Sequence, residues 1–182
     1  MLNFQEFQEK NQAAARIAEQ AHQNQKYGTM PYRVHLEDVQ KVLNRFGYLV
    51  TAEAFNPAVA NLIVSAWLHD VLEDTVLSAE HLEYHVGVDV TDLVKRVTDE
   101  PGRNRKEKKL ATYPKIKGHY YATVLKLADR IANVEASKKM KKDGNKNLYQ
   151  MYAKEYADFR MHLFEEQGPV AMWIYLDSLF KE

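Results

Sequence analysis

Apolar residues recur every three to four positions along most of the chain, the spacing that places them on one side of an α-helix. No segment alternates apolar and polar residues as a half-buried β-strand does. The sequence therefore predicts an all-α fold. The predicted helices cover residues 3–22, 36–46, 57–75, 78–87, 89–98, 119–138, 148–166 and 169–180.

Turn-forming residues separate these helices. A glycine and a proline interrupt the loop NQKYGTMPYRV, and Asn56-Pro57 supplies the N-cap and the first position of the third helix. Residues 99–109 (DEPGRNRKEKK) are expected to form a turn followed by a charged stretch. Residues 138–147 (KKMKKDGNKN) are expected to form a basic loop with its break at Gly144.

The segment AWLHDVLEDT, residues 66–75, places charged groups at the end of an apolar run. On one continuous helix, His69, Asp70, Glu73 and Asp74 cover about 140° of one side. Like charges four residues apart repel, and the helix dipole disfavours acids in a last turn. The segment predicts a positive partner beside these acids. The alternative is a helix end that emerges into solvent, with surface acids.

Two further segments carry polar residues in unexpected places. Asp129 lies among apolar residues of the predicted helix 119–138, so it is either a functional carboxylate or the buried partner of Lys126 or Arg130. His35 lies just before the second predicted helix, where a histidine is usually a cap or a surface residue. Taken with His69 and Asp70, these residues offer two imidazoles and two carboxylates. Such a mixed donor set suits a divalent metal such as Mn²⁺ or Fe²⁺.

Composition narrows the class of protein. The 25 basic and 25 acidic residues give a formal net charge of zero, so no global charge favours nucleic acid or an acidic membrane. The chain contains no cysteine, and its most apolar run is too short to span a bilayer. No repeat or linker divides residues 1–182. We expect one domain of a cytoplasmic protein, with no nucleic-acid or membrane partner.

The order of His35, His69-Asp70 and Asp129 resembles that of the HD-domain metal-dependent phosphohydrolases. Longer segments resemble the hydrolase domain of the RelA/SpoT alarmone enzymes and the small alarmone hydrolases. These segments are HDVLEDT, LVKRVTDE and VLKLADRIANV, with AHQNQKYGTMPYRVH and MYAKEYADF similar to the family's opening and closing segments. The resemblance extends, with gaps, from about residue 15 to residue 165. It implies a single compact HD-domain helical bundle.

The resemblance also implies roles for individual residues. One Mn²⁺, or another divalent ion such as Fe²⁺, would be bound by His35, His69, Asp70 and Asp129. Glu73 and Asp74 match the family's acidic pair, which helps to activate or position water. The implied reaction, part of the stringent response, removes the 3′-pyrophosphate of guanosine tetra- or pentaphosphate (ppGpp or pppGpp) and gives GDP or GTP.

Binding of the nucleotide substrate is expected to involve four residues. Asn133 matches a family position that faces the nucleotide, and Lys26 lies in a loop where the family places basic residues. Arg103 and Lys106 belong to a basic run, residues 103–109, that could neutralise phosphate charge. A solvated charged loop is the alternative interpretation of this run.

The chain departs from the alarmone hydrolases at two points. The loop QNQKYGTMPY lacks the family's arginine-lysine pair, and the usual His-Pro is His35-Leu36. Two alternatives therefore stay open: an HD phosphohydrolase of another nucleotide, and a nucleotide-binding regulatory module without catalysis.

Overall fold

The computed structural model describes residues 2–142 and 147–181, and this part of the chain is predominantly helical, which confirms the predicted all-α class. The predicted break at Gly144 lies outside the described residues. The helices are α1 (Phe4–Ala21), α2 (Arg33–Arg45), α3 (Pro57–Leu68), α4 (Val71–Asp74), α5 (Ala79–Val86), α6 (Val88–Val97), α7 (Arg105–Ile116), α8 (Tyr120–Lys142), α9 (Asn147–Leu163) and α10 (Val170–Phe180).

Side-chain caps account for several helix starts. The Asn3 side chain and that of Glu6 each accept a backbone N–H of the other residue, a capping box at the start of α1. The Asn56 side chain accepts from two backbone N–H groups at the start of α3, beside Pro57. The Ser78 side chain accepts from the third residue of α5. Because these signals are local, the corresponding helix starts agree with the sequence prediction.

A short hairpin precedes α2 and was not predicted. Its strands, β1 (Lys26–Tyr27) and β2 (Met30–Pro31), pair antiparallel, with Lys26 opposite Pro31 and Tyr27 opposite Met30. Gly28 takes a φ of 64°, a left-handed conformation that glycine adopts without steric cost. Two residues per strand are too few for an alternating pattern, so the sequence signal was absent.

Helix α7 lies between the predicted helices 89–98 and 119–138, where the sequence predicted a turn and a charged stretch and no helix, so that prediction was wrong. Its N-cap, Asn104, accepts the backbone N–H of Glu107 at 3.0 Å. The buried residues of α7 follow a helical spacing, but two of the four are polar. They are Lys109, Thr112, Tyr113 and Ile116. A search for apolar periodicity misses a helix that buries a lysine and a threonine.

Two helix boundaries near the candidate site also differ from the prediction. Helix α3 ends at Leu68, His69 is its C-cap, and α4 is a separate turn of four residues. The charged residues therefore do not share one side of a continuous helix. Helix α2 begins at Arg33, so His35 lies inside its first turn rather than before it.

The apolar core consists of two clusters that share α2, α3 and α6. One cluster packs α2, α3 and α6–α10 together, and the other packs α1 against α2–α6. Leu62 and Ala66 of α3 belong to the first cluster, whereas Val64 and Leu68 belong to the second. Helix α3 is apolar nearly all round because both of its sides are buried. Its C-terminal end lies between the clusters, next to α2 and α8.

None of the helices in the described ranges combines the length and the apolar character that a membrane span requires.

Candidate metal centre and active site

Three separate elements bring three titratable side chains together. His35 comes from α2, His69 from the end of α3 and Asp129 from the middle of α8. The two imidazole Nε2 atoms lie 3.2 Å apart, and Asp129 Oδ1 lies 3.4 Å from that of His35 and 3.7 Å from that of His69. Among the described residues, these three form a group whose ligand atoms lie within 4.8 Å of one another. The group could hold a metal ion.

Asp70 adjoins this group. Its Oδ2 lies 3.0 Å from His69 Nε2 and 3.4 Å from His35 Nε2. The same oxygen accepts a hydrogen bond from the Tyr32 hydroxyl at 2.5 Å. Asp70 therefore contacts both imidazoles and is itself held by the residue that precedes α2.

The donor atoms fit a divalent cation. Two nitrogens each about 2.1 Å from one ion lie roughly 3.0–3.4 Å apart, and the Nε2 atoms are 3.2 Å apart. His69 Nδ1 lies 2.9 Å from the Ala66 carbonyl oxygen. If Nδ1 carries the proton and donates to that oxygen, the Nε2 lone pair is left for a metal. His35 Nδ1 is buried without a hydrogen-bond partner among the described residues.

The electrostatics of the group also favour a cation. Burial opposes ionisation of the Asp129 and Asp70 carboxyls, but the adjacent imidazoles outweigh it and hold their pKa values well below the usual range. Burial likewise opposes protonation of His69, but Asp70 and Asp129 outweigh it and raise its pKa well above the usual value. Positive charge is thus favoured between the four side chains. A proton or a divalent metal would supply it.

Glu73 and Asp74 lie at the mouth of the cleft above these groups, on the turn α4. The backbone N–H of Asp99 donates to Glu73 Oε2 at 3.2 Å. Desolvation by the surrounding protein raises the pKa of Glu73, and the nearby Asp99 carboxylate adds to the shift. Desolvation and the charge of Asp70 likewise raise the pKa of Asp74. Carboxylates with raised pKa values are better proton acceptors at neutral pH.

A cleft of about 160 Å³ joins these groups to a wall of basic and aromatic residues. The residues of this wall are Arg105 and Lys109 of α7, Lys126 and Arg130 of α8, and Tyr152 of α9. Arg105 and Lys109 belong to the basic run that was expected to supply phosphate contacts, whereas Lys126, Arg130 and Tyr152 were not expected to bind substrate. Their place in the basic run 103–109 is the only sequence signal for a role of Arg105 and Lys109 in binding. Which residues of that run face the cleft depends on how α7 packs.

The basic residues of the wall are held mainly by partners other than the metal group. Arg130 Nη1 donates to Glu155 Oε2 at 3.0 Å, so the proposed pairing of Asp129 with Arg130 is wrong. Arg105 Nε donates to the same carboxylate at 2.5 Å. Lys126 Nζ donates to a backbone carbonyl oxygen and lies 4.0 Å from Asp129 Oδ2. Asp129 therefore forms a long ion pair with Lys126, as one alternative expected, and contacts the imidazoles through its other oxygen.

Three of the predicted binding residues do not line the cleft. Lys26 is exposed on the hairpin, and the neighbouring Tyr27 is the more buried residue of its strand. Arg103 is 89% exposed and pairs with Glu107 on α7. Lys106 points into a different cavity. The structure therefore does not support these three as substrate ligands at this cleft.

Asn133 does line the cleft, one helical turn after Asp129. Its amide nitrogen donates to Asp129 Oδ1 at 2.5 Å, and its amide oxygen accepts from the Tyr27 hydroxyl at 2.9 Å. Both ends of the side chain are thus engaged within the protein. This arrangement was not visible in the sequence, because Tyr27 and Asn133 lie 106 residues apart.

Comparison with curated proteins finds relatives named guanosine-3′,5′-bis(diphosphate) 3′-pyrophosphohydrolase MESH1. The chain is 34% identical to the Drosophila melanogaster protein over 105 residues, 29% to the Xenopus tropicalis protein over 137 and 31% to the Danio rerio protein over 125. The matches cover 57, 72 and 65% of this chain and 54, 71 and 63% of the respective relatives. The chain thus matches about half the length of the first relative. No family model matches the chain.

Comparison with solved structures establishes the fold. A metazoan ortholog of SpoT that hydrolyses ppGpp aligns with a TM-score of 0.72 and 24% identity, over 94% of this chain and 93% of that one. The protein lmo0812 of Listeria monocytogenes EGD-e aligns with a TM-score of 0.62 and 21% identity, over 83% of this chain and 98% of that one. With the sequence relatives, these matches confirm the predicted resemblance to the alarmone hydrolases and the helical HD-domain fold.

Proposed function

We propose that this chain, which has the sequence pattern and the fold of the HD-domain alarmone hydrolases, is a metal-dependent guanosine-3′,5′-bis(diphosphate) 3′-pyrophosphohydrolase. Its substrates are guanosine tetraphosphate and pentaphosphate. Water adds to a phosphorus of the 3′-pyrophosphate, the bond from that phosphorus to the nucleoside 3′-oxygen breaks, and the 3′-oxygen gains a proton. The products are GDP or GTP and pyrophosphate.

One observation carries the proposal: a metal-binding donor group lies in the same cleft as a row of cations. His35, His69 and Asp129 converge on one point, and the cleft that His35 and Asp129 line is also lined by lysine and arginine side chains. Phosphate oxygens are bound best by charge-assisted hydrogen bonds from such cations. A structural metal would need neither the basic wall nor an open cleft. The arrangement therefore supports hydrolysis of a phosphorylated substrate.

The metal is held by His35, His69 and Asp129, with Asp70 as the fourth ligand, and we propose Mn²⁺ as the ion. Mixed imidazole and carboxylate donors suit Mn²⁺ and Fe²⁺. When bound, such an ion lowers the pKa of water and offsets charge on phosphate oxygens. Glu73 and Asp74, at the mouth of the cleft, orient the attacking water or accept its proton.

The wall of the cleft binds the polyphosphate. Arg105 and Arg130 share the Glu155 carboxylate, so one negative charge faces two positive guanidinium groups and one positive charge remains. Lys109 is paired with Asp99, with the Lys109 amine 2.7 Å from a carboxylate oxygen. The wall therefore keeps net positive charge for a substrate that carries several phosphates. Holding the arginines in place reduces the conformational entropy lost on binding.

Purified protein loaded with Mn²⁺ is expected to convert guanosine tetraphosphate to GDP and intact pyrophosphate. Phosphorus NMR of the products distinguishes pyrophosphate from single phosphate and shows whether the 5′-diphosphate is retained. Release of single phosphate would contradict the proposed reaction. Turnover of another nucleotide in preference to guanosine tetraphosphate would identify a different HD phosphohydrolase. Binding of guanosine tetraphosphate without any turnover would identify a regulatory module.

Arg105→Ala is expected to raise KM for guanosine tetraphosphate about tenfold or more, since a hydrogen bond to a charged group contributes about 1.5–3 kcal/mol. The kcat should change little, because the contact is made to ground state and transition state alike. Arg103→Ala is the matched control, because Arg103 lies in the same basic run but is 89% exposed and outside the cleft. Equal KM values for the two variants, measured by steady-state kinetics, would contradict the assignment of Arg105.

A further inference from the structure

The hairpin before α2 lies against the metal group through Tyr27. The Tyr27 ring stacks on the His35 ring, with centroids 4.9 Å apart and an angle of 29° between the planes. Its hydroxyl donates to Asn133 Oδ1 at 2.9 Å. One side chain therefore contacts a residue of α2 and a residue of α8.

Asn133 links Tyr27 to Asp129 through hydrogen bonds. The Asn133 amide nitrogen donates to Asp129 Oδ1 at 2.5 Å, and this is the oxygen that lies 3.4 Å from His35 Nε2. The Tyr27 hydroxyl, the Asn133 amide and the Asp129 carboxylate thus form a continuous chain of hydrogen bonds. Because an ionised carboxylate only accepts, Asp129 takes the amide nitrogen of Asn133, and the amide oxygen is left to accept from the Tyr27 hydroxyl.

Tyr27 also stabilises the position of His35, a proposed imidazole ligand. His35 Nδ1 has no hydrogen-bond partner among the described residues, so its ring is not held by the kind of contact that Ala66 makes with His69. Its ring is instead held between Tyr27, which stacks on it, and Tyr32, whose ring meets it edge-on at a centroid distance of 5.5 Å. Packing against Tyr27 therefore restrains the orientation of the His35 ring, as the hydrogen bond to Ala66 restrains that of His69.

We propose that Tyr27 is a positioning residue for the metal centre, which orients Asp129 through Asn133 and His35 through ring stacking. The inference rests on the metal site of the proposed function but not on the identity of the substrate. Partners of metal ligands fix ligand orientation, and their loss typically weakens metal binding by 10–100-fold. Asn133, in this arrangement, acts chiefly on the metal ligand and not as a free contact for the nucleotide.

Tyr27→Phe tests the hydrogen bond while the ring stays in place. The variant is expected to bind Mn²⁺ about tenfold more weakly than the unaltered protein, as measured by isothermal titration calorimetry without substrate. Tyr48→Phe is the matched control, because the Tyr48 hydroxyl also makes a hydrogen bond, at 2.9 Å to that of Tyr120, away from the cleft. It should bind Mn²⁺ as the unaltered protein does. Thermal unfolding of both variants measures any general loss of stability.

A double-variant experiment separates positioning from a general structural effect. Asn133→Ala should also weaken Mn²⁺ binding, and Tyr27→Phe with Asn133→Ala should bind no more weakly than Asn133→Ala alone, because both changes break one chain of hydrogen bonds. Additive losses, or Mn²⁺ affinity that Tyr27→Phe leaves unchanged, would overturn the proposal. So would an unaltered protein that binds no Mn²⁺. Normal Mn²⁺ binding with no turnover of guanosine tetraphosphate would contradict the proposed substrate and leave the role of Tyr27 intact.

Discussion

His69→Ala is expected to lose the bound metal and to reduce kcat/KM for guanosine tetraphosphate by more than about 10³. Metal ions supply several kcal/mol of charge stabilisation in a transition state, and each 1.36 kcal/mol changes a rate tenfold. His69 contributes the Nε2 that faces His35, so its removal leaves one imidazole beside the carboxylates. Elemental analysis of the purified variant measures the metal, and initial rates measure the activity.

Two further variants make the result for His69 interpretable. His69 is buried, so its replacement by alanine also removes packing. Asp129→Asn keeps the shape of the side chain and should show the same loss of metal. His81→Ala, at an exposed position of α5 and outside the cleft, should keep both metal and turnover. Undiminished metal content in folded His69→Ala and Asp129→Asn would rule out the proposed ligand set.

Glu73→Gln and Asp74→Asn should behave differently from the ligand variants. Each is expected to keep the metal and to lose on the order of 10²–10⁴ in kcat, the range for a general acid or base. An amide keeps the shape of the side chain but accepts a proton poorly. Metal content and single-turnover rates measured on the same preparation separate the two effects. Glu80→Gln, on the exposed side of α5, is the control and should change neither quantity.

Loss of metal together with activity in Glu73→Gln would mean that this residue is a ligand and not a base. Full activity in both variants would exclude the acidic pair from catalysis. The two carboxylates are not equivalent, because Glu73 accepts a backbone hydrogen bond from Asp99, whereas Asp74 is affected mainly by desolvation and the charge of Asp70. We therefore expect Glu73→Gln and Asp74→Asn to lose kcat by different factors.

Helix positions were predictable where burial and apolar character coincide. Helix α1 was expected over residues 3–22 and covers Phe4–Ala21, because its caps and its apolar residues are local signals. Helix α7 was missed because it buries Lys109 and Thr112. The division between α3 and α4 was also missed, because no glycine or proline follows Leu68 to mark the end of a helix.

The resemblance completed the set of proposed metal ligands, because spacing alone would not have selected His35 among the seven histidines. His35 and His69 lie 34 residues apart and belong to different helices. The basic residues of the cleft show more clearly what the sequence pattern alone does not predict. Arg103 was selected and is exposed, whereas Arg105, two positions away, lines the cleft. To choose between them, one must know that residue 105 begins a helix and which side of that helix packs against the cleft. The charges of the basic run carry neither piece of information.

The sequence by itself determined the helical class and most helix boundaries, because both depend on neighbours within a few turns of the chain, whereas the set of proposed metal ligands was completed by resemblance to a family. Only the tertiary structure decided that α2, α3 and α8 bring those residues together, and which basic side chains face them. It also placed Tyr27 on His35 and joined it to Asn133. Local periodicity encodes which residues are buried, but which buried residues meet depends on how the helices pack.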